Sequence, residues 1–246
     1  MLISQADFHT CIETPRRLAT GVMSRPMIVF DLDGTLVETA PDLVDTLNVV
    51  FAREGLPPVP FDEARTFVGH GARAMITRGL DAEGRKVTPQ LLDKLFNDFI
   101  AHYTAHVADR SYPFPGVVDA LDALGADGYR FAVCTNKFER QSVMLLDALK
   151  LSGRFDAICG QDTFGIAKPD PEVLRRTILK AGGDPARAIM IGDSETDILT
   201  ARAAELPVIA VDFGYSASPV STYDPDRLIS HFGELADAIA SLSPTK

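Results

Sequence analysis

The chain is short of cysteine, of basic residues and of long apolar runs, and each shortage removes a class of protein. Only three cysteines occur: Cys11, Cys134 and Cys159. Their spacing is neither a metal-ligand pattern nor an even disulfide framework. Cys134 and Cys159 each end an apolar run and read as buried thiols that act as small hydrophobes, which suits the cytoplasm. The 24 Lys and Arg stand against 34 Asp and Glu, a net charge of −10. Such a surface repels a phosphate backbone, so nucleic acid is not expected as a partner. No apolar run reaches the roughly 18 residues of a membrane helix. No basic start followed by an apolar stretch marks a secretory signal.

What is present is ample apolar material. The 246 residues are 46% hydrophobic, enough for one core plus a small accessory domain. Residues 1–26 mix polar and apolar positions without a period. They read as an N-terminal extension, or as an upstream start taken in place of Met23. From Met27 onward, short apolar runs predict buried strands at 27–30, 131–134, 155–159, 188–191 and 208–211. Helical stretches near 116–127, 138–150, 171–181 and 196–205 separate them. Strands and helices in alternation predict an α/β fold, a Rossmann-like doubly wound parallel sheet.

One interval breaks that alternation. Helical patterns at 41–54, 62–68, 72–80 and 88–108 follow the first strand with no convincing strand among them. The insertion is too long for a simple crossover. It predicts a helical cap over residues 39–111, with a core formed by 27–38 and 112–246. Hinges are expected near 37–41 and 109–115.

The polar clusters fall just past predicted strand ends, where open parallel sheets bind ligands. Asp31-Leu32-Asp33-Gly34-Thr35-Leu36 puts two carboxylates on one turn. Asp31 can attack phosphorus, and Asp33 can move the leaving-group proton; the same tripeptide also suits an ordinary turn. Thr135-Asn136 can donate to phosphoryl oxygens, or cap the helix at 138. Lys168-Pro169-Asp170-Pro171 puts a cation on a stiff loop, or leaves a surface lysine beside a helix start. Asp193 and Asp197, one helical turn apart, can serve a hard cation such as Mg2+, or complement a helix dipole. Taken together the clusters supply a nucleophile, an acid/base, phosphoryl donors, a cation and metal acids.

On these motifs the chain resembles the haloacid-dehalogenase-type phosphatase superfamily. Within it, Val29–Val37, Ala40-Pro41-Asp42-Leu43, Phe114-Pro115-Gly116-Val117 and Val133–Lys137 resemble the bacterial phosphoglycolate phosphatases. The resemblance implies Asp31 as nucleophile and magnesium ligand, and Asp33 as acid/base with its backbone carbonyl on the metal. It implies that Thr135 and Lys168 hold the phosphoryl group, beside the Asn136 amide read above as a phosphate donor, and that Lys168 orients Asp31. It also implies that Asp193 completes the metal ligands, with Asp197 behind it. Glu38 replaces a shorter acid found in many relatives, and Ala167 stands where many have lysine.

The resemblance extends to a cap that closes over the site and selects the leaving group. The segment expected to face the substrate is Gly69, His70, Gly71 and Arg73, holding the carboxylate of a small phospho-acid such as 2-phosphoglycolate; a plain helix–helix turn fits the same residues. The expected substrates are small phosphorylated carboxylic acids or sugar phosphates. A monomer or a homodimer is expected. Rival readings are a phosphosugar mutase of the β-phosphoglucomutase type, a dehalogenase and a non-catalytic module. His102 and His106, four apart on one helix, read as a solvated face rather than a metal pair.

Overall fold

The structure is a computed structural model, and it describes residues 26–69 and 71–242. The N-terminal extension through residue 25, with Cys11, and also His70, lie outside the described residues.

Six strands form one parallel sheet. In chain order they are β1 (Met27–Phe30), β4 (Arg130–Cys134), β5 (Ala157–Cys159), β6 (Ala188–Gly192), β7 (Val208–Val211) and β8 (Arg227–Ile229). The spatial order is β5-β4-β1-β6-β7-β8, so β1 is central and pairs with both β4 and β6. Two further short strands, β2 (Val37–Glu38) and β3 (Tyr112–Pro113), pair antiparallel. They stand at the two expected hinges, so the chain leaves for the insert and returns from it side by side, as a paired ribbon rather than two free linkers.

Alternation along β1 gives the sheet two buried faces. Ile28 and Phe30 enter one apolar cluster with Leu121, Leu145 and Leu235. Met27 and Val29 enter the other with Val173, Leu174 and Ile198. The first face is therefore covered by α5 (Val117–Ala126), α6 (Glu139–Ala148) and α9 (Leu235–Ala240), and the second by α7 (Pro171–Lys180) and α8 (Glu195–Ala203). Both faces of a parallel sheet are covered, as its near-continuous apolar strands require.

Between β2 and β3 run α1 (Ala40–Arg53), α2 (Phe61–Arg65), α3 (Ala72–Ala82) and α4 (Pro89–Ala105), the helical insert that the sequence predicts. Thr88 caps α4, accepting from the Leu91 N–H, and Pro89 follows at its first turn. Leu95, Phe99 and Tyr103 then recur on its buried face and join Leu47, Phe51, Ile76 and Leu80 in the same cluster as one face of the sheet. Phe96 meets Phe138 at a ring separation of 6.0 Å, and Gln141 donates to Thr104 Oγ1 at 2.9 Å, so α4 rests on the start of α6.

Asp42, in the first turn of α1, fastens the returning strand. Its carboxylate accepts from the N–H groups of Arg110 and Ser111 and from the Ser111 hydroxyl at 2.6–3.1 Å. Among the described residues no helix is long and apolar enough to cross a membrane.

Candidate active site

The three central strands end side by side, and each ends in a polar turn. Asp31 follows β1, Thr135 follows β4 and Asp193 follows β6. The turn after β1 is tight: Gly34 has φ +84°, and a Cβ there would lie 2.5 Å from Asp193 Oδ2. Only glycine lets the backbone of one motif touch the carboxylate of another.

Asp31, Asp193 and Asp197 are buried, and a ligand oxygen from each lies within 4.8 Å of the others. Lys168 faces them, its Nζ 2.9 Å from Asp31 Oδ1 and 2.5 Å from Asp197 Oδ1. Burial pulls this ammonium down, but Asp197 and Asp31 outweigh it and hold the group charged. Burial raises Asp31 from the ordinary carboxylate value to about 6; Lys168 opposes the rise and Asp197 adds to it. Asp193 is raised well above its ordinary value, first by burial and then by Asp197 and Asp31.

The other two acids of this set, Asp193 and Asp197, are already engaged. Asp193 accepts from the Thr35 hydroxyl at 3.1 Å and from the Tyr215 N–H at 2.7 Å. Asp197 closes a capping box with Ser194 at the start of α8. Its capping role and its place in the cluster are both realised. Asp31 Oδ1, by contrast, is buried and, among the described residues, has the Lys168 ammonium at 2.9 Å as its one polar partner, an ion pair rather than a well-formed hydrogen bond.

Three buried carboxylates against one ammonium leave a charge deficit. Buried carboxylate oxygens in excess of the available cations, in an all-oxygen set, are what a hard divalent cation satisfies. The residues present fit such an ion.

Asp33 lies on the cavity side of this cluster. It accepts from Lys137 Nζ at 2.8 and 3.0 Å and from the Thr39 hydroxyl at 2.7 Å. Lys137 is the residue that sequence reasoning missed. It follows the Thr135-Asn136 pair directly, but nothing local marks it; only the fold brings it to Asp33 and over the Tyr103 ring, 4.6 Å from the centroid. Burial lowers its pKa, and Asp33 and Tyr103 more than restore it.

Other predicted residues fall less evenly. Thr135 Oγ1 accepts from the Lys137 N–H, which leaves its own hydrogen free. Asn136 faces differently from the expectation: its amide donates to Lys168 O at 3.1 Å and accepts from Lys168 N at 2.9 Å. Both ends are spent fixing the Lys168 backbone. Neither residue caps α6, whose N-cap is Phe138.

Gly69 and Gly71 line the cavity. Arg73 does not; it pairs with Asp93 at 2.8 Å, half-exposed, and stacks on Phe96. The first turn of α3 sends its side chain outward. His102 and His106 stack at 4.4 Å and bond to Thr46 and Asp109. Among the described residues they belong to no cluster able to hold a metal. Cys134 and Cys159 are buried and free; burial pushes the Cys134 thiol up to about 12.

A second network links the insert to this floor. Glu38 Oε1 accepts from the Tyr215 hydroxyl at 2.6 Å, and Tyr215 Oη in turn accepts from the N–H groups of Thr39 and Ala40. Arg65 of α2 reaches Glu38 Oε2 and the carbonyls of Phe213 and Gly214. The longer acid at position 38 makes this reach possible.

A six-stranded parallel sheet with a helical insert after its first strand, and this acid cluster at its edge, define a haloacid dehalogenase-like hydrolase. The family pattern matches residues 28–211, and the chain belongs to that family. It is 50% identical over 218 residues to a phosphoglycolate phosphatase of Mesorhizobium japonicum, covering 89% of this chain and 96% of that one. It is 47% identical over 215 residues to the phosphoglycolate phosphatase of Caulobacter vibrioides, covering 87% and 91%. A crystal structure of a predicted phosphoglycolate phosphatase from Haemophilus somnus superimposes with a TM-score of 0.82 at 28% identity, over 89% of this chain and all of that one.

Proposed function

We propose that the protein is a magnesium-dependent phosphatase that hydrolyses 2-phosphoglycolate to glycolate and phosphate through an aspartyl-phosphate. The observation that carries this reading is Asp31 Oδ1, a buried carboxylate oxygen held 2.9 Å from the Lys168 ammonium at the mouth of the central strand and, among the described residues, without another polar partner. The identity of 46–50% to three phosphoglycolate phosphatases supports the substrate.

Asp31 attacks phosphorus along the line of the departing ester oxygen. Lys168 orients it and offsets the charge of both the carboxylate and the phosphoryl group. Asn136 acts through Lys168, fixing its backbone at both ends. The Thr135 hydroxyl donates to a phosphoryl oxygen. Asp33 gives its proton to the leaving alkoxide, then takes one from the water that opens the aspartyl-phosphate. The carboxylates of Asp31 and Asp193 and the backbone carbonyl of Asp33 would hold Mg2+, which when bound neutralises charge on the phosphoryl oxygens.

Residues 39–111 act as the cap, excluding water from the ester, with 27–38 and 112–246 as the core. The buried free thiols suit a reducing compartment, and we place the protein in the cytoplasm.

The cavity argues for a small leaving group. It encloses about 50 Å³ open to water-sized groups and is walled by Leu43, Val68, Met75, Phe99 and Phe138. A sugar would set some of its hydroxyls against those apolar walls, where a hydroxyl left without a partner is costly. The test is phosphate release from 2-phosphoglycolate and from hexose phosphates, with Mg2+ and with EDTA. Mg2+-dependent turnover favouring phosphoglycolate is expected, and its loss in Asp31→Asn. Equal turnover of hexose phosphates overturns the substrate, and full activity of Asp31→Asn overturns the mechanism.

A further inference from the structure

We propose that Lys137 recognises the acid end of the substrate, its ammonium receiving the carboxylate of a phosphorylated 2-hydroxy acid beside Asp33. The proposal rests on the phosphatase reading above and adds which residue selects the leaving group.

A carboxylate entering this cavity leaves water for mostly apolar walls and an acidic floor, with neutral side chains such as Gln141 and Gln161 besides, so a cation is the partner that best offsets its charge. Lys137 is the only cationic side chain among the described residues lining the cavity. Lys168 does not line it; it pairs with Asp31 and Asp197 and serves the phosphoryl end, and Arg73, also off the lining, pairs with Asp93.

The position also fits. The ester oxygen must come within about 2.6–3.2 Å of Asp33 to receive its proton. In a phosphorylated 2-hydroxy acid one carbon separates that oxygen from the carboxylate. The carboxylate therefore arrives next to whatever flanks Asp33, and Lys137 Nζ flanks it at 2.8 Å. An ammonium has three donors, so one group can serve Asp33 and a second carboxylate together. The ammonium itself lies over the Tyr103 ring on the insert side, 4.6 Å from its centroid. Thus the cation that reads the substrate is supplied by the core, and α4 of the insert keeps it aimed.

The test compares 2-phosphoglycolate with 2-hydroxyethyl phosphate, in which a hydroxymethyl group replaces the carboxylate. Wild type, Lys137→Met and Lys137→Arg are assayed for kcat and KM on both, with circular dichroism to check folding. Lys137→Gln replaces the Met variant if that does not fold. Wild type is expected to prefer the acid. Lys137→Met should lower that preference by about 30-fold, the worth of a charged hydrogen bond, chiefly through KM. Lys137→Arg should keep part of it. An unchanged preference, with both substrates losing equally, overturns the proposal and leaves Lys137 as a positioning residue for Asp33. A wild-type protein that cleaves neither ester refutes the phosphatase reading itself, which is a separate outcome.

Discussion

Removing one hydroxyl from Tyr215 should loosen the join between insert and core without touching the acid cluster directly. The Tyr215 hydroxyl donates to Glu38 Oε1 at 2.6 Å and accepts from the N–H groups of Thr39 and Ala40 at 2.6 and 3.0 Å. All of these groups are buried. Burial, and then Glu38, hold the phenol well above its ordinary pKa, so it remains a donor across the working pH range. In Tyr215→Phe the ring stays, with Arg65 still stacked on it at 4.7 Å. Ala40 N keeps Glu38 Oε1 as a partner at 3.2 Å. Thr39 N is left with none, and the Glu38 carboxylate loses its shortest hydrogen bond. A stranded buried donor and a lost charged bond together cost about 3 kcal/mol. For a chain of this size that lowers Tm by roughly 6–12 °C, measured by calorimetry at constant pH. The bond to Asp193 comes from the Tyr215 backbone and survives, so hydrolysis should persist below the new Tm. A Tm within about 2 °C of wild type, the range of a surface substitution, refutes the argument that this network fastens the hinge.

Two further outcomes follow from the acid cluster. Asp31 is raised by burial from 3.8 to about 6, so the folded state holds its proton more tightly than the unfolded one. That contribution to stability is full below 3.8 and is lost as pH rises through about 6. In EDTA, wild type should therefore lose Tm relative to Asp31→Asn between pH 4.5 and 7, and Mg2+ should raise its Tm more at pH 7.5 than at pH 5, because ligands must be ionised; a pH-independent effect of Mg2+ contradicts this. In Gly214→Ala the new Cβ would lie 2.2 Å from Asp193 Cβ, so the Mg2+ concentration for half-maximal activity should rise about tenfold or more, and an unchanged value would show that Asp193 does not hold the ion.

Much of this architecture is legible in the sequence because burial on both faces writes itself as apolar runs. β1 and β7 are continuous apolar tetrapeptides, β6 is such a run with Gly192 added, and all three are read directly. β8 is not, because an edge strand beginning with exposed Arg227 and carrying half-exposed Leu228 leaves too short a pattern. Asp31 and Asp193 are legible because each ends such a run. Lys137 and the Glu38–Tyr215–Arg65 network are not, since their partners lie 27 to 177 positions away and no local signal joins them. Arg73 shows the opposite failure. Its type and neighbourhood suit a substrate carboxylate, but the phase of α3 gives it to Asp93. Asn136 suits a phosphoryl donor by position, while its two-sided bond to Lys168 exists only in three dimensions.

The central claim is that phosphorus passes through the Asp31 carboxylate, and trapping tests it most directly. Wild-type protein turning over 2-phosphoglycolate with Mg2+ is quenched, reduced with borohydride and mapped by mass spectrometry. An acyl phosphate becomes an alcohol under reduction, so homoserine at position 31 is predicted. Turnover that continues while residue 31 stays aspartate, or homoserine formed at another acid, would contradict the account.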